Sequence, residues 1–340
     1  MLEIIRISKE IYNLERGLQK YTYWEKILSN FDANLINNSV VSLDNQKMLF
    51  KKYVELINLE TSSFCNRSCI YCPDSKFPRD FKEQLGNEIV VKILKELSAI
   101  EYSGDFSLNL YNEPLADYEN LKLIITLIKK ELPLSTIGFN TNGDLLDLQK
   151  ISELESIGVN RIKITIHPPA NKNYDLIRET KRFNKFLSNL NSNQDNFVNT
   201  TDDNIAYFKF GKMFLILQSI DFLQKGTDRG RTIDTVISTT RVAPCAKPMR
   251  EFTIYYDGSV TQCCDAFYSS TYQKNKLGSV ADDNIFSIYS SQIFKTIRKE
   301  LFGWGEKSSI CKTCSSFDNS KISEDEIRGK ILLQIERIDN

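Results

Sequence analysis

Three closely spaced cysteines are the residues in this sequence most able to support chemistry. Cys65, Cys69 and Cys72 lie in one short segment with the spacing C-x3-C-x2-C. This spacing places three thiolates at three corners of a cubane iron–sulfur cluster and leaves the fourth iron without a protein ligand, so that a small molecule can bind there. A disulfide needs two thiols and a structural zinc site needs four, so the triplet suits neither. The alternatives are a loop of buried thiols or part of a zinc knuckle.

The triplet and its neighbours resemble the radical S-adenosylmethionine (SAM) superfamily. Tyr71 precedes the third cysteine, where that family carries an aromatic residue beside the adenine. The resemblance implies a [4Fe–4S] cluster bound to three cysteines and to SAM. It also implies that the reduced cluster splits SAM into methionine and a 5′-deoxyadenosyl radical, which abstracts a hydrogen atom from the substrate. The reductant expected for such an enzyme is a flavodoxin- or ferredoxin-type protein.

Two further segments resemble the SAM pocket of that family. In Tyr111-Asn-Glu-Pro114, Asn112 stands where the family usually has the second glycine of Gly-Gly-Glu-Pro. Asparagine tolerates backbone angles near those of glycine, so the change is chemically mild. The resemblance implies that Asn112 and Glu113 bind SAM, with Glu113 at the amino group; a solvated turn acid is the alternative. Thr141-Asn-Gly143 resembles a second pocket segment and adds Asn142, although Asn-Gly alone indicates only a turn.

Three polar residues in and after the fourth predicted parallel strand are further candidates. Thr165 and His167 alternate in phase, so both side chains are expected to point into a barrel, where the family often contacts the ribose. His167 is the only histidine of the chain and could equally be an acid or base group or a structural imidazole. The resemblance also offers Arg178 as a contact for the SAM carboxylate, and a basic helix face explains it equally well.

Four cysteines near the carboxyl end predict a second metal site. Cys245 and Cys263 follow the pattern C-x12-G-x4-C, in which Gly258 suits a tight hairpin turn. Cys311 and Cys314 form C-x2-C, and the four thiols together suffice for a fully ligated cubane. A structural zinc site is the alternative. The layout resembles the SPASM/twitch modules that follow radical SAM barrels, which implies one auxiliary [4Fe–4S] cluster.

One further cysteine, Cys264, has no place in that ligand set, because an adjacent pair cannot easily bind one cubane twice. Packing beside the cluster is the simpler interpretation. The other is a hydrogen-atom donor that quenches a substrate radical, which would make the enzyme an epimerase.

The elements that must position these residues alternate between strands and helices from Tyr53 onward. The predicted strands are Glu55–Ser62, Asp105–Leu110, Ser135–Phe139, Arg161–Ile166 and Phe214–Gln218. The predicted helices are Asn87–Ile100, Glu119–Lys130, Leu148–Ile157 and Tyr174–Leu190. Successive βα units predict an α/β fold with parallel strands and helices outside, similar to the partial (β/α)6 TIM-like barrel of radical SAM proteins. Functional residues then belong at the carboxyl ends of the strands.

The chain divides into four expected regions. Residues 1–54 form an N-terminal helical extension with an apolar stripe of Ile11, Leu14, Leu18 and Tyr21, and residues 55–235 form the barrel. Residues 236–320 form the small C-terminal SPASM/twitch module, and residues 321–340 form a C-terminal helix. The extension either packs on the barrel or docks a partner or leader peptide.

Composition and charge narrow the classes of function. The 340 residues are 41% hydrophobic and 26% charged, as in an ordinary globular chain. Lysine plus arginine equals aspartate plus glutamate at 44 each, which weighs against nucleic acid or an anionic membrane as partner. No apolar run approaches the roughly 18 residues of a membrane span, and the charged start lacks a signal-peptide core. A cytosolic location is therefore expected, where eight cysteines indicate metal ligands before disulfides.

The auxiliary cluster favours a net oxidation. A fully ligated cluster cannot bind substrate through iron but can accept an electron. Its cysteine layout resembles that of radical SAM dehydrogenases that oxidise a secondary alcohol of an aminocyclitol. The leading hypothesis is a radical SAM oxidoreductase acting on a sugar-like or other small polar substrate. The alternatives are a ribosomal-peptide maturase, which forms cross-links, thioethers or epimers, and a non-catalytic iron–sulfur protein.

Overall fold

The computed structural model describes residues 4–15, 24, 27–28, 31–79, 82–170, 172–190, 204–233 and 240–316. Ten strands are found within these ranges. They are β1 Ile4–Ile7, β2 Leu56–Leu59, β3 Asp105–Ser107, β4 Thr136–Thr141, β5 Arg161–Thr165, β6 Asn204–Phe210, β7 Met213–Ser219, β8 Glu251–Ile254, β9 Ser259–Thr261 and β10 Gly278–Ser279. The helices are α1 Lys9–Glu15, α2 Leu43–Tyr53, α3 Asn87–Ser98, α4 Tyr118–Glu131, α5 Leu148–Ser156, α6 Leu176–Asn189, α7 Phe222–Lys225, α8 Lys247–Arg250, α9 Ile285–Tyr289 and α10 Gln292–Phe302.

All ten strands belong to one sheet with the order β1-β6-β7-β5-β4-β3-β2-β8-β9-β10. The run from β7 to β8 is parallel throughout, which confirms the predicted α/β partial barrel. The sixth parallel strand is β8, which comes from the C-terminal part of the chain and pairs with β2. The first cysteine loop and the second cysteine set are therefore attached to neighbouring strands.

The predicted helices are present because each has one apolar face to bury. In α4, Leu121, Ile124, Ile125 and Ile128 recur at helical spacing and are fully buried. Burying a side chain of this size contributes about 1.5–3 kcal/mol relative to leaving it exposed. Asp147 and Asp175 cap the N-termini of α5 and α6 through their carboxylates. These helices fix the strands whose carboxyl ends carry the candidate residues.

Three strands were missed by the sequence analysis, namely β1, β6 and β10. Residues 204–210 form β6, which pairs antiparallel with β7 across a turn at Gly211, where φ is +57°. The segment before it is polar and rich in asparagine, and the run of apolar and aromatic residues from Ile205 to Phe208 obscures a period of two. Most of that segment, residues 191–203, lies outside the described residues.

The described part of the N-terminal extension packs on the barrel. β1 pairs antiparallel with β6, and the Tyr12 ring lies 5.0 Å from Tyr207 and 5.5 Å from Phe214 between ring centroids. Tyr12 is buried whereas Ile11 is 45% exposed, so the apolar stripe does not begin at Ile11 as expected. The side chains of the other three stripe residues, and the expected helix 321–340, lie outside the described residues.

Among the described residues, no helix combines the length and the apolar character needed to cross a membrane.

Candidate active site

A cavity of about 360 Å³ lies at the carboxyl ends of the parallel strands and extends into the barrel. Successive strands and the loops after them contribute its walls, as expected for a parallel α/β barrel. It is lined by Asn58, Cys65, Arg67, Cys69, Tyr71, Cys72, Pro73, Ser107, Asn109, Leu110, Tyr111, Asn112, Glu113, Asn140, Thr141, Asn142, Lys163, Thr165, His167, Gln218, Phe222, Arg229 and Cys264. All the predicted cofactor-binding residues except Arg178 are among them.

The three cysteines of the triplet border this cavity from the loop that follows β2. All three are free thiols. Burial raises the pKa of Cys65 to about 11 and also raises the pKa values of Cys69 and Cys72. The desolvated thiols are therefore neutral in the absence of metal, and a metal that binds them must displace their protons.

A buried ion-pair network, missed by the sequence analysis, holds the triplet loop. The Arg79 guanidinium donates to Glu60 at 2.8 Å and to Asp74 at 2.6 Å. Glu60 also accepts a hydrogen bond of 2.9 Å from the Tyr111 backbone nitrogen. The Arg79 side chain is 2% exposed and that of Glu60 is fully buried. Because Asp74 follows the last cysteine of the triplet, this network fixes the loop to the ends of β2 and β3.

Glu113 joins the segments after β3 and β4. Its carboxylate accepts hydrogen bonds of 2.7 Å from the Thr141 hydroxyl, 2.7 Å from the Asn142 backbone nitrogen and 3.1 Å from the Leu115 backbone nitrogen. Burial raises its pKa, and these donors oppose that shift. Glu113 is 2% exposed, which excludes the solvated turn acid. It borders the cavity while its oxygens already hold the backbone in place.

Asn112 does not use the backbone freedom that made its substitution for glycine look mild. Its φ is not positive. Its amide instead donates to Thr61 at 3.3 Å and accepts from the Leu110 backbone nitrogen at 3.2 Å. The side chain therefore braces the turn, a role that glycine cannot perform.

Three aromatic rings stack on one another beside the triplet. The Tyr71 and Phe222 rings stack with centroids 5.1 Å apart, and His167 lies 5.5 Å from Phe222. The Tyr71 hydroxyl and the His167 Nδ1 atom share a hydrogen bond of 2.7 Å, whose donor depends on the imidazole tautomer. Burial lowers the pKa of His167 to about 4, so its ring is neutral near pH 7. Phe222 was missed by the sequence analysis because it lies in a short helix after β7.

The remaining predicted residues divide between the cavity and its surroundings. Thr165 borders the cavity and accepts a 3.0 Å hydrogen bond from Gln218. Arg178 is not among the lining residues: it donates to the buried Glu179 at 2.6 Å and to a backbone carbonyl. Arg67 instead reaches the cavity and forms a bidentate pair with Asp144, with both distances at 2.6 Å.

The four cysteines of the second set line a separate, much smaller cavity. The β8–β9 hairpin turns at Gly258, where φ is +82°, so the predicted glycine turn is confirmed. Gln262 donates to the Cys311 sulfur at 3.0 Å. Arg241 secures the adjoining backbone through the carbonyls of Ala243 and Pro244 at 3.0 and 2.8 Å. The four thiols are Cys245, Cys263, Cys311 and Cys314.

A charged partition separates the two cavities. Cys263 faces the smaller cavity and the adjacent Cys264 faces the larger one. The Lys247 ammonium lies 3.6 Å from the Cys264 sulfur and pairs with Asp265, which also accepts from Arg229 at 2.8 Å. Burial alone would raise the pKa of Asp265, but the two cations hold it well below its usual range.

Comparison with known proteins agrees with this geometry. The family model of the radical SAM superfamily matches residues 59–209, and that of the SPASM iron–sulfur cluster-binding domain matches residues 245–315. The S-adenosyl-L-methionine-dependent 2-deoxy-scyllo-inosamine dehydrogenase of Niallia circulans is 23% identical over 267 residues, which cover 78% of this chain and 94% of that enzyme. An uncharacterized protein of Methanocaldococcus jannaschii is 29% identical over 133 residues, 39% of this chain and 41% of that protein.

Solved structures show the same fold. BtrN in complex with AdoMet and 2-DOIA aligns with a TM-score of 0.57 at 20% identity and covers 79% of this chain and 96% of its own. BtrN in an open conformation aligns with a TM-score of 0.52 at 20% identity, covering 77% and 92%. Identities this low establish the shared fold only.

The described residues fit the cofactors that the two matched domains imply, a [4Fe–4S] cluster with SAM and an auxiliary iron–sulfur cluster. The three thiols of the triplet line the larger cavity from one loop and suit three corners of a cubane, whereas the fourth thiol that lines this cavity, Cys264, lies beside Lys247 in the partition. Residues 59–209 form a radical SAM domain and residues 245–315 form a SPASM iron–sulfur cluster-binding domain.

Proposed function

We propose that this protein is a SAM-dependent dehydrogenase that oxidises a secondary alcohol of a sugar-like or other small polar substrate and transfers one electron to its auxiliary cluster. The observation that carries this proposal is that the two cavities lie side by side. The adjacent residues Cys263 and Cys264 face one cavity each. The similarity to a dehydrogenase over 94% of that enzyme's length supports it. The peptide maturase and the non-catalytic protein are not favoured.

The cofactors supply the difficult chemistry, because bound SAM is a source of a hydrogen-abstracting radical and the auxiliary cluster is an electron acceptor. The protein positions them. Cys65, Cys69 and Cys72 would hold the first cluster, and the stacked rings of Tyr71 and Phe222 would offer an apolar surface to the adenine. These rings also exclude water from the reacting atoms.

The polar residues of the SAM pocket take proposed roles from their position at the strand ends. Asn112, Glu113 and Asn142 form the edge of the cavity beside the triplet and orient the amino acid part of SAM. Thr165 ends the neighbouring strand β5 and His167 follows it, and both are proposed to contact the ribose. His167 does so as a neutral ring, because burial lowers its pKa to about 4. Arg178 is not included, since it lies outside the lining residues.

The partition between the cavities serves the oxidation itself. Arg229 faces the substrate cavity and is held by Asp265, so its guanidinium can stabilise negative charge as the alcohol passes its proton to a water molecule. Cys264 is proposed as a wall residue rather than a hydrogen donor, because a net oxidation returns no hydrogen to the substrate. The auxiliary cluster would lie on the other side of the partition, held by Cys245, Cys263, Cys311 and Cys314.

The cellular compartment and the electron donor are proposed from the same chemistry. All eight cysteines are free thiols, which suits a reducing compartment such as the cytosol. A flavodoxin- or ferredoxin-type protein is proposed as the electron donor for the first cluster.

Anaerobic turnover tests the proposal. Dithionite-reduced protein is incubated with SAM and a series of polyols, sugar phosphates and aminocyclitols that includes 2-deoxy-scyllo-inosamine. The expected result is equal formation of 5′-deoxyadenosine and a ketone with at least one alcohol. The proposal is contradicted if 5′-deoxyadenosine forms with none of the substrates in the series. It is also contradicted if an epimerised alcohol appears in place of the ketone.

A further inference from the structure

A lysine lies deep in the substrate cavity, below the residues that border SAM. Lys163 on β5 precedes Thr165 by two positions, and both line the cavity. Alternate residues of a strand share a face, so Lys163 faces the barrel interior about 6–7 Å further from the carboxyl edge. It pairs in register with Asn140 of β4. Because Ser107 and Asn58 also line the cavity, the space reaches the full depth of Lys163.

The positive charge of Lys163 has no acidic partner among the described residues. Burial lowers its pKa, and the nearby Arg161 on the same strand lowers it further. Acids of the barrel interior are used elsewhere: Glu113 by the donors described above, and Glu251 by Asn58, whose amide nitrogen lies 3.3 Å away. A partly buried ammonium without a counter-charge is costly, so this part of the cavity favours an anion.

The neutral residues around Lys163 add hydrogen-bond donors that can also bind an anion. The Asn109 side-chain oxygen accepts two bonds from Asn140, at 2.8 Å from its backbone nitrogen and 3.3 Å from its amide. Within the described part of the chain, no hydrogen bond engages the Asn109 amide nitrogen or the Ser107 hydroxyl. Both residues line the cavity, so both can donate to a ligand.

We propose that Lys163 is an anion-binding residue and that the anion is a carboxylate or phosphate group of the substrate. This inference rests on the proposed function, because it names the substrate class of the same cavity. A substrate with an ammonium group at this depth would face Lys163 as a like charge. The carboxylate of SAM itself is the other source of such a group, but SAM is anchored at the triplet, at the rim of the barrel.

Binding measurements test the proposal without turnover. Reconstituted wild-type protein, Lys163→Met, Lys163→Arg and the control Lys185→Met, at an exposed position of α6, are titrated with SAM by anaerobic calorimetry. Inorganic phosphate and malonate are then titrated into the SAM-bound proteins. The expected result is that Lys163→Met weakens anion binding about tenfold or more, whereas Lys163→Arg and Lys185→Met retain it. SAM affinity should stay within about twofold in all four proteins.

Two outcomes overturn the inference. One is anion binding that is absent from the wild type or unchanged in Lys163→Met while Lys163→Met keeps the wild-type reduced-cluster spectrum and unfolding temperature. The other is a loss of SAM affinity in Lys163→Met that disappears with decarboxylated SAM, which would assign Lys163 to the SAM carboxylate. Failure of the proposed dehydrogenation would leave the binding result intact, so the two failures are distinguishable.

Discussion

The two cysteine sites of this protein differ in ligand number and in the space around them. The triplet borders a cavity of about 360 Å³ that is shared with hydrogen-bonding side chains from several strands. The four-cysteine set lines a far smaller cavity closed by Arg241, Pro248 and Leu301. A site with three thiols and open space can bind a small molecule at iron, whereas a site with four thiols and no space can only exchange electrons. In the proposed function, bond cleavage therefore belongs to the first site and electron transfer to the second.

Removal of the triplet is the strongest test of this division. Changing Cys65, Cys69 and Cys72 to alanine should reduce SAM cleavage to background, because no iron remains to bind SAM. Iron content and the visible iron–sulfur absorption should fall only partly, since the second set is untouched. Zinc without a visible chromophore in this variant would contradict an auxiliary cluster.

Removal of one arm of the second set should have a different effect. Changing Cys311 and Cys314 to alanine is expected to abolish ketone formation while SAM cleavage continues, because the electron acceptor is lost and the radical source is retained. The ratio of ketone to 5′-deoxyadenosine measures this uncoupling. An unchanged ratio would show that the second site takes no part in the oxidation.

The support of the triplet loop can be tested through Arg79. The change Arg79→Met leaves Glu60 and Asp74 buried without their counter-charge, and breaking a buried ion pair in this way costs about 3–5 kcal/mol. Thermal unfolding and iron content should both decrease. The control is Lys150→Met, which removes an exposed pair with Asp147 worth at most about 1 kcal/mol. Equal stability of the two variants would rule out a supporting role for the network.

The pH dependence of stability tests the environment of His167. Burial lowers its pKa from 6.5 to about 4, so folding favours the neutral ring. The contribution of the neutral ring to the free energy of unfolding is complete above pH 6.5. It is lost as the pH falls toward 4, and the total loss is roughly 3 kcal/mol. Wild-type protein should therefore lose more stability than His167→Gln between pH 7 and pH 5, as measured by thermal unfolding. Parallel losses in the two proteins would place the imidazole in a solvated position.

The sequence grouped the cysteines into the two sets that each line one cavity of the structure, because spacing in the chain survives folding. Three cysteines within eight residues must share a loop, and a glycine between Cys245 and Cys263 permits the hairpin that brings those thiols together. The helices of the barrel were equally predictable from the sequence, since their apolar positions recur at a period of 3.6 residues.

The features that the sequence did not reveal depend on contacts between distant residues. Arg79 lies near the triplet in sequence, but its partner Glu60 is 19 residues away and carries no signal of its own. Lys163 lies in the middle of a predicted strand, and only the register of β4 and β5 shows what it faces. Arg178 failed to reach the cavity because Glu179 and a carbonyl of the preceding loop hold its guanidinium.

The central claim is that SAM binds at the three-cysteine site and not at the four-cysteine site. Electron-spin resonance of the reduced clusters tests this most directly, with the Cys311→Ala/Cys314→Ala variant and the triplet variant each measured before and after addition of SAM. The account predicts that SAM changes the spectrum of the first variant and leaves that of the second unchanged. A change in the triplet variant, or no change in either, would contradict it.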